Sequence, residues 1–173
     1  MRRYFITDRR LCGGLPWLLE IIRDRLNTGL DYLQIREKDL SARELFEFTA
    51  AVVELRANRA TTILVNERAD IAVAAGADGV HLPSAAPRRT LPGLLVARSC
   101  HTLDEVRSAN ADFVTLSPVF ESPGKGKPLG IDLLREACTL GKPVFALGGI
   151  TEENAPSCVE AGAAGIAGIR LFM

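Results

Sequence analysis

The sequence predicts an α/β fold, a minimal TIM (β/α)8 barrel formed by a single domain over residues 1–173. Short apolar runs of strand length alternate with longer segments of helical spacing, and no linker or low-complexity stretch separates them. A Gly-Ala-Asp-like signal also recurs where helices end, at about 22 residues per βα unit, which suits short strands and tight loops. The eight apolar runs begin at Tyr4, Tyr32, Thr62, Gly79, Leu94, Phe113, Pro143 and Gly165.

Helix signals follow most of these runs in order. Apolar residues recur at helical spacing over residues 17–26, after the first run. A capping box, Ser41-Ala42-Arg43-Glu44, follows the second run and opens an apolar stripe over residues 45–55. A second capping box, Thr102-Leu103-Asp104-Glu105, follows the fifth run, and Gly141 with Pro143 ends the helix after the sixth. Helices therefore connect most of the strands.

Two segments predict an incomplete outer ring of helices. Residues Pro83 to Pro92 contain three prolines and two arginines and are poor helix material. The sequence stops at Met173, shortly after the eighth run, and leaves no eighth helix. An open, doubly wound sheet stays the alternative, because βα repetition alone does not distinguish a closed barrel from an open sheet.

The composition argues against several function classes. Lys and Arg together number 21, as do Asp and Glu, and a formal net charge of zero is unlike the basic excess of nucleic-acid binders. No run approaches the roughly 18 apolar residues of a membrane span. The four cysteines, Cys12, Cys100, Cys138 and Cys158, show no C-x-x-C motif and no disulfide pattern. We therefore expect a cytoplasmic protein with free thiols that binds neither nucleic acid nor membranes, and the sequence leaves a homo-oligomer open.

Polar residues collect where the second strand of the predicted barrel ends. In such barrels the carboxyl ends of the strands form the ligand-binding face. Period-two alternation puts Gln34, Arg36 and Lys38 on one side of the strand, so that an amide and two cations converge at the mouth. Converging cations predict a bound anion. Two solvated charges at the start of a loop are the equally weighted alternative.

Further polar residues end the third and fifth strands. Asn66 and Glu67 follow the third run, and Ser99 and His101 share one face after the fifth. His101 is a candidate for moving a proton near neutral pH. The other histidine, His81, lies inside the fourth run and is expected to be structural.

Two loops carry the signs of a phosphate site. The loop over residues 121–130 includes Ser122 and Lys125 and combines three glycines with two lysines, which is typical of an anion-gathering lid. Gly148 and Gly149 end the seventh run, Thr151 is the predicted N-cap of the next helix, and barrels often bind phosphate after strands seven and eight. A mobile connection and a tight glycine turn are the alternatives.

Several motifs in order along the chain resemble the thiamine phosphate synthase superfamily, which has a synthase branch and a thiazole tautomerase branch on one barrel fold. The resemblance covers nearly the whole sequence, and its Q-x-R-E-K and S-x-H-T-L segments are quite specific. The matching segments are Gln34 to Leu40, Val65-Asn66, Ala77 to Leu82, Ser99 to Leu103, Pro118 to Phe120 and Gly148 to Thr151.

The resemblance implies that the protein couples a pyrimidine pyrophosphate to a thiazole phosphate with loss of pyrophosphate. It assigns the pyrimidine pyrophosphate to polar side chains after strands two and three, namely Gln34, Arg36, Lys38 and Asn66. It assigns the leaving group to Ser99 and Lys125, and the thiazole phosphate to Ser122, Gly148 and Gly149. Small phosphorylated substrates are therefore the expected partners.

Three positions depart from the synthase pattern. Glu67 stands where a magnesium-binding Asp is usual, so we expect Glu67 to be the Mg2+ ligand here. The segment Pro83 to Ala86 stands where a second Asp is usual, and its absence weakens a site for a hard cation. Arg170 replaces a small hydroxyl residue after the eighth strand, where an arginine could hold phosphate or block the pocket.

Two other functions stay open at this point. The tautomerase branch needs no metal, and a histidine at the place of His101 moves the proton in it. A non-catalytic binder of thiamine precursors is the third hypothesis, suggested by the missing carboxylate. Retention of Gln34, Lys38 and Lys125 favours the synthase.

Overall fold

Eight parallel strands close into a barrel in the computed structural model, which describes residues 1–87 and 90–173. The strands are β1 (Arg2–Ile6), β2 (Tyr32–Ile35), β3 (Thr62–Asn66), β4 (Gly79–Leu82), β5 (Leu95–Cys100), β6 (Phe113–Leu116), β7 (Val144–Leu147) and β8 (Gly165–Gly168). The helices are α1 (Leu15–Asn27), α2 (Ala42–Arg56), α3 (Ala69–Ala75), α4 (Leu103–Ser108), α5 (Gly130–Cys138) and α6 (Ala155–Glu160). Each strand pairs with its neighbours in sequence, and β1 also pairs with β8. The predicted barrel is confirmed, and the open sheet is excluded.

Strand alternation divides the core into two layers, one inside the barrel and one between the sheet and the helices. The inner layer is a cluster of buried residues, Tyr4, Ile6, Leu64, Ala97, Phe113, Phe145 and Ala167. Aromatic rings pack closely in it, with the Phe113 and Phe145 centroids 4.9 Å apart and the Tyr4 and Phe145 centroids 5.8 Å apart. Because side chains fill the inside, the barrel is a packed core whose ligands must bind at its mouth.

The recurring Asp of the sequence repeat ties neighbouring strands together at the amino end of the barrel. The carboxylate of Asp31 accepts a hydrogen bond from the backbone N–H of Arg3 at 2.8 Å. Asp78 accepts one from the N–H of Ile63, and Asp112 one from the N–H of Val96, both at 2.7 Å. Each Asp thus enters an even-numbered strand and satisfies an N–H of the odd-numbered strand before it, which explains the period of the repeat.

The two predicted capping boxes form to different extents. Ser41 and Glu44 exchange side-chain and backbone hydrogen bonds at the start of α2, as expected. At the start of α4 the hydroxyl of Thr102 accepts from the N–H of Glu105. The Glu105 carboxylate, however, binds the N–H of His101. The second box therefore also fixes the backbone of a candidate site residue.

An irregular segment replaces the helix between β4 and β5, as the prolines predict. Residues 83–87 and 90–94 form turns and no helix, and Arg88 and Arg89 of the predicted non-helical segment lie outside the described residues. Arg98 points away from the barrel interior, is only 4% exposed, and donates to the carbonyl oxygens of residues 83, 84, 86 and 87. Its guanidinium group satisfies the backbone carbonyls that a helix would have paired internally.

A short 3-10 turn over Arg170–Phe172 follows β8. The Phe172 ring is fully buried, and its centroid lies 5.6 Å from that of Phe5 on β1. Arg25 Nε donates to the Phe172 carbonyl oxygen at 2.9 Å, and the Arg3 guanidinium lies 5.2 Å from the ring centroid. One aromatic residue thus covers the seam between β8 and β1.

No helix in the described part of the chain combines the length and the apolar character needed to cross a bilayer.

Replacing Phe172 with Ala is expected to lower the free energy of unfolding by about 3–5 kcal/mol, because it leaves a cavity over the β8–β1 seam. Urea unfolding followed by circular dichroism measures this change. Phe46→Ala on α2 is the matched control, because Phe46 is 38% exposed and its loss should cost much less. Equal losses in both variants would contradict the sealing role of Phe172.

Candidate active site

A row of hydrogen bonds crosses the barrel interior just below its carboxyl mouth. Gln34 Nε2 donates to Tyr4 Oη at 2.8 Å, Tyr4 Oη lies 2.8 Å from His81 Nδ1, and His81 Nε2 lies 2.9 Å from Ser99 Oγ. Gln34 is 2% exposed, His81 is 3% exposed and Tyr4 is fully buried. We call these four residues the buried polar row. It joins Gln34 and Ser99, two predicted site residues, through two residues to which the sequence assigned no catalytic role.

Burial keeps both middle members of the buried polar row uncharged. Removal from water lowers the pKa of His81 to about 3, and the positive charge of Arg36 adds to this effect. Burial also raises the pKa of the Tyr4 hydroxyl far above its usual value. At neutral pH the row therefore consists of neutral donors and acceptors.

The loop after β2 carries the two predicted cations. β2 ends at Ile35, so the strict alternation of the sequence analysis does not extend to Lys38. The backbone N–H of Arg36 donates to Thr7 Oγ1 at 2.9 Å, and its half-buried side chain has no carboxylate partner within residues 1–87 and 90–173. Lys38 Nζ lies 3.5 Å from Glu67 Oε2, and both side chains are about half exposed. The β2 and β3 loops are thus joined by an ion pair between two predicted site residues.

Glu37, which the sequence analysis did not single out, fixes this loop from below. Its buried carboxylate accepts from the backbone N–H of Arg9 at 3.1 and 3.2 Å and from the Arg9 guanidinium at 3.2 Å. The same guanidinium holds Asp39 through two further bonds, which lowers the pKa of that carboxyl. Arg36 and Lys38 are therefore presented by a loop that is tied to the β1–α1 loop.

Asn66 is the last residue of β3, and Glu67 follows it. Glu67 has a φ of 61°, a left-handed backbone conformation that is uncommon for glutamate. Its N–H donates to the His81 carbonyl oxygen at 3.0 Å, and Asn66 Nδ2 donates to Glu67 Oε2 at 2.9 Å. These contacts aim the Glu67 carboxylate toward Lys38.

The donors near Glu67 fit one kind of magnesium site. No three His, Cys, Asp or Glu side chains of the described ranges lie close enough together to hold a metal. Glu67 offers one carboxylate, with the Asn66 amide beside it. Mg2+ usually keeps several waters and takes one or two carboxylates plus substrate phosphates, so these residues suit an ion that arrives with a phosphorylated substrate. They do not suit a cage built by the protein alone.

His101 is held at the rim with one nitrogen facing away from the protein backbone. Its Nδ1 lies 2.8 Å from the Ser117 carbonyl oxygen. A carbonyl oxygen can only accept, so Nδ1 carries the proton and Nε2 of the neutral ring is an unprotonated base. The side chain is exposed to solvent, as a proton-transfer group at the mouth must be.

The loop over residues 121–130, after β6, is exposed, and its first residue, Glu121, packs against Gly149. Its base closes where the N–H of Leu129 donates to the Pro118 carbonyl oxygen at 2.8 Å, and the N–H of Lys125 donates to the Ser122 carbonyl oxygen at 3.1 Å. In the part of the chain that the structure describes, neither the Lys125 nor the Ser122 side chain forms a hydrogen bond or ion pair with another site residue.

Gly148 and Gly149 are required by close packing as well as by their backbone conformation. Their φ angles are 92° and 67°. A Cβ at Gly148 would lie 2.8 Å from Pro118, and one at Gly149 would lie 2.3 Å from the Glu121 carbonyl oxygen. The alternative that these two glycines form a tight turn therefore has a clear physical basis, and a role in binding phosphate stays a prediction.

The prediction that Thr151 is a capping residue is confirmed by its contacts, but the helix begins later than expected. α6 begins at Ala155 with Asn154 as its N-cap. Thr151 and Asn154 exchange side-chain and backbone hydrogen bonds across a turn, and Asn154 Nδ2 donates to the Gly149 carbonyl oxygen at 2.9 Å. The sequence correctly located a capping residue but placed it one turn before the helix.

Arg170 lies in the 3-10 turn after β8 and its side chain is exposed. It forms no ion pair with a carboxylate of residues 1–87 or 90–173. Because its side chain is exposed, Arg170 does not block the pocket in this structure.

The clefts around the mouth divide between its loops. A cleft of about 250 Å³ lies between the β2 and β3 loops and includes Lys38, Asn66 and Glu67. Another of about 130 Å³ includes Arg36. Ser99 borders a smaller cavity of about 70 Å³ together with Ser84 and Glu105.

Cations, hydroxyl groups and paired glycines at the carboxyl mouth of a closed barrel define a class of (β/α)8 enzymes that bind phosphorylated substrates. The sequence profile of the family described as thiamine monophosphate synthase, TMP-TENI, matches residues 3–172. The chain belongs to this family, and the predicted enzyme class, a transferase of thiamine biosynthesis, is confirmed.

Individual relatives agree with the family match. A relative from Geobacter sulfurreducens is 45% identical over 95% of this chain and 83% of its own length. The thiamine-phosphate synthase of Moorella thermoacetica is 38% identical over 94% of this chain and 83% of its own. The thiamine phosphate pyrophosphorylase structure from Pyrococcus furiosus is 30% identical and superposes with a TM-score of 0.84 over 97% of this chain and 85% of its own.

Burial of neutral His81 predicts a specific pH dependence of stability. Between pH 6.5, the ordinary pKa, and about 3, the unfolded chain binds a proton at this position and the folded chain does not. The free energy of unfolding should therefore fall with decreasing pH by up to about 1.4 kcal/mol per unit from this group. Urea unfolding measured between pH 6.5 and 5 stays above the pH at which most carboxyl groups titrate. His81→Gln should reduce the dependence of the free energy of unfolding on pH. Parallel slopes in wild type and variant would contradict a neutral, buried His81.

Proposed function

We propose that the protein joins hydroxymethylpyrimidine pyrophosphate to thiazole phosphate, releasing pyrophosphate and forming thiamine phosphate. When the thiazole carboxylate phosphate is the substrate, its carboxylate leaves as CO2 in addition to pyrophosphate. The observation that carries the proposal is Arg36, a half-buried cation at the mouth whose side chain forms no ion pair within residues 1–87 and 90–173, although its charge helps to lower the pKa of Asp8. A partly buried charge is costly unless an anion pairs with it, and pyrophosphate is such an anion. Family membership supplies the chemical identity of the substrates.

The reaction breaks the bond between the pyrimidine methylene carbon and a pyrophosphate oxygen. The bonding electrons leave with pyrophosphate, and the lone pair of the thiazole nitrogen forms a C–N bond with the resulting carbocation. Negative charge grows on the departing oxygen, so donors placed around it lower the barrier. Arg36, Lys38, Ser99 and Lys125 supply these donors in this proposal, while Gln34 and Asn66 bind the pyrimidine pyrophosphate.

Glu67 is the residue that would hold Mg2+, with the Asn66 amide beside it. When bound, the ion neutralises part of the charge on the pyrophosphate oxygens. Lys38 lies 3.5 Å from Glu67 Oε2, and this ion pair has to loosen for Lys38 to reach a phosphate oxygen. The flexible, half-exposed lysine can make this movement while the tethered loop backbone stays in place.

The second substrate would bind between the loops after β6, β7 and β8. Gly148 and Gly149 would approach its phosphate through their backbone, with Ser122 beside them and Arg170 as an additional cation. The loop over residues 121–130 is exposed and glycine-rich, and its closure would keep water from the carbocation.

Purified wild-type protein is expected to form thiamine phosphate from the two substrates, with activity that depends on added Mg2+. Oxidation to fluorescent thiochrome detects the product. No product under any metal condition would contradict the synthase and favour either the tautomerase or a non-catalytic binder.

Lys125→Ala is expected to lower kcat/KM by roughly 100-fold, because it removes a charged donor to the leaving group. Lys127→Ala is the matched control, since Lys127 lies on the same exposed loop and carries the same charge. A loss below about threefold is expected for it. Similar losses in both variants would mean that the loop acts through overall charge and would remove the specific role of Lys125.

Glu67→Gln is expected to raise the Mg2+ concentration for half-maximal activity by roughly tenfold or more, because a neutral amide is a weaker ligand. Asp70→Asn on α3 removes a nearby exposed carboxylate as the control and should not shift that concentration. The assignment is wrong if the Mg2+ dependence of Glu67→Gln matches that of wild type.

The orientation of His101 favours one second candidate, a thiazole tautomerase. Its Nδ1 donates to the Ser117 carbonyl oxygen, and Nε2 of the exposed side chain has no hydrogen-bond partner in the described residues. In that case the wild type would isomerise the thiazole tautomer without metal, and His101→Ala would abolish the isomerisation.

A further inference from the structure

We propose that His81 and Tyr4 are positioning residues that hold the Ser99 hydroxyl as a hydrogen-bond donor into the mouth of the barrel. This inference rests on the proposed function, in which Ser99 contacts the departing pyrophosphate. The role belongs to residues inside the core, whereas the residues expected to touch substrate lie at the rim.

Direction along the buried polar row follows from what each group can donate. Gln34 Nε2 is an amide nitrogen, so it donates to Tyr4 Oη. The single hydrogen of the Tyr4 hydroxyl is then directed to its other partner, His81 Nδ1, at 2.8 Å. A neutral imidazole that accepts at Nδ1 carries its hydrogen at Nε2. His81 Nε2 therefore donates to Ser99 Oγ, 2.9 Å away.

This direction leaves the Ser99 hydrogen available. Ser99 Oγ accepts from His81 and has no second hydrogen-bond partner in the described ranges. Ser99 is half-buried at the carboxyl end of β5, so its hydrogen can point to a ligand at the mouth. The reverse direction, in which Ser99 donates to His81, would leave the site without this donor.

Contacts from four strands and from aromatic rings hold the buried polar row rigidly in place. Its members come from β1, β2, β4 and β5, and Tyr4 and His81 are 77 residues apart in sequence. The Tyr4 ring also packs against Tyr32, Phe113 and Phe145. A donor fixed in advance stabilises charge that develops on a leaving oxygen without reorganising during the reaction. The expected effect is on kcat more than on KM.

The first test measures the tautomer of His81 directly. The protein contains only two histidines, so His101→Asn in the uniformly 15N-labelled chain leaves His81 as the single imidazole signal. The proposal expects a protonated Nε2 and an unprotonated Nδ1 in long-range 1H–15N spectra at pH 7.5. A protonated Nδ1 with a bare Nε2, or averaging between the two forms, overturns it.

The second test compares two amides in place of His81. Gln can place its side-chain nitrogen close to the His81 Nε2 position and still donate to Ser99. Asn reaches only the Nδ1 position, so it can accept from Tyr4 but leaves Ser99 without its donor. His81→Asn should lower kcat by about 10- to 100-fold with KM for the pyrimidine substrate within about threefold of wild type, and His81→Gln should restore most of kcat.

Thr61→Val is the control for the loss of a buried hydrogen bond. Thr61 Oγ1 donates to the Leu30 carbonyl oxygen at 2.6 Å, close to the start of β3 and away from the mouth. Its thermal midpoint should fall while kcat stays within about twofold of wild type. Equal kcat for His81→Asn and His81→Gln would overturn the positioning role.

Failure of the proposed function can be distinguished from failure of this inference. If the wild type makes no thiamine phosphate, the synthase proposal fails, and affinity for inorganic pyrophosphate by calorimetry replaces kcat. His81→Asn should then bind pyrophosphate about tenfold more weakly, with His81→Gln and Thr61→Val near wild type. Equal affinities overturn the inference, and the nitrogen spectra decide the case even if His81→Asn does not fold.

Discussion

The need to hydrogen-bond the buried Tyr4 hydroxyl inside a closed barrel is the constraint on which this structure depends. Aromatic rings fill the lower part of the interior, and the Tyr4 side chain is fully buried. The hydroxyl therefore needs protein partners, which it finds in Gln34 and His81. The same hydrogen bonds that stabilise the core extend to Ser99 at the mouth. Core packing and site geometry are for this reason parts of one arrangement.

In two places of the outer layer a single large side chain packs where no helix lies among the described residues. Arg98 pairs with the carbonyls of the segment between β4 and β5, and Phe172 covers the seam between β8 and β1. The two contacts are chemically different because the first pairs backbone carbonyls and the second covers apolar surface.

Much of the fold could be predicted from the sequence because its signals are local. β2, β4 and β6 begin and end where their apolar runs do, and the Ser41 box starts α2 as predicted. Thr151 makes capping contacts one turn before α6, because a capping residue can close a turn before the helix as readily as it can open the helix itself. The order of residues alone does not distinguish a capped turn before a helix from the capped start of the helix.

The candidate site was predictable only in part, because its key contacts join distant residues. Gln34, Ser99 and the rim cations follow from strand ends, which are local features. The role of His81 depends on its contact with Tyr4 across the barrel, which no spacing in the sequence encodes. The role of Glu37 could not be predicted from the sequence, because a charged residue in a loop is expected to be solvated. In the structure its carboxylate is buried and bound by Arg9.

Pyrophosphate is proposed to bind at the barrel mouth against a donor set in advance by the core. A crystal structure of the protein with inorganic pyrophosphate and Mg2+ tests this claim most directly. We expect a pyrophosphate oxygen within hydrogen-bond distance of Ser99 Oγ, with the Arg36 guanidinium on the same anion and the His81–Ser99 contact intact. An ordered pyrophosphate away from Ser99, or a Ser99 hydroxyl that has turned away from His81 to bind it, would contradict the claim.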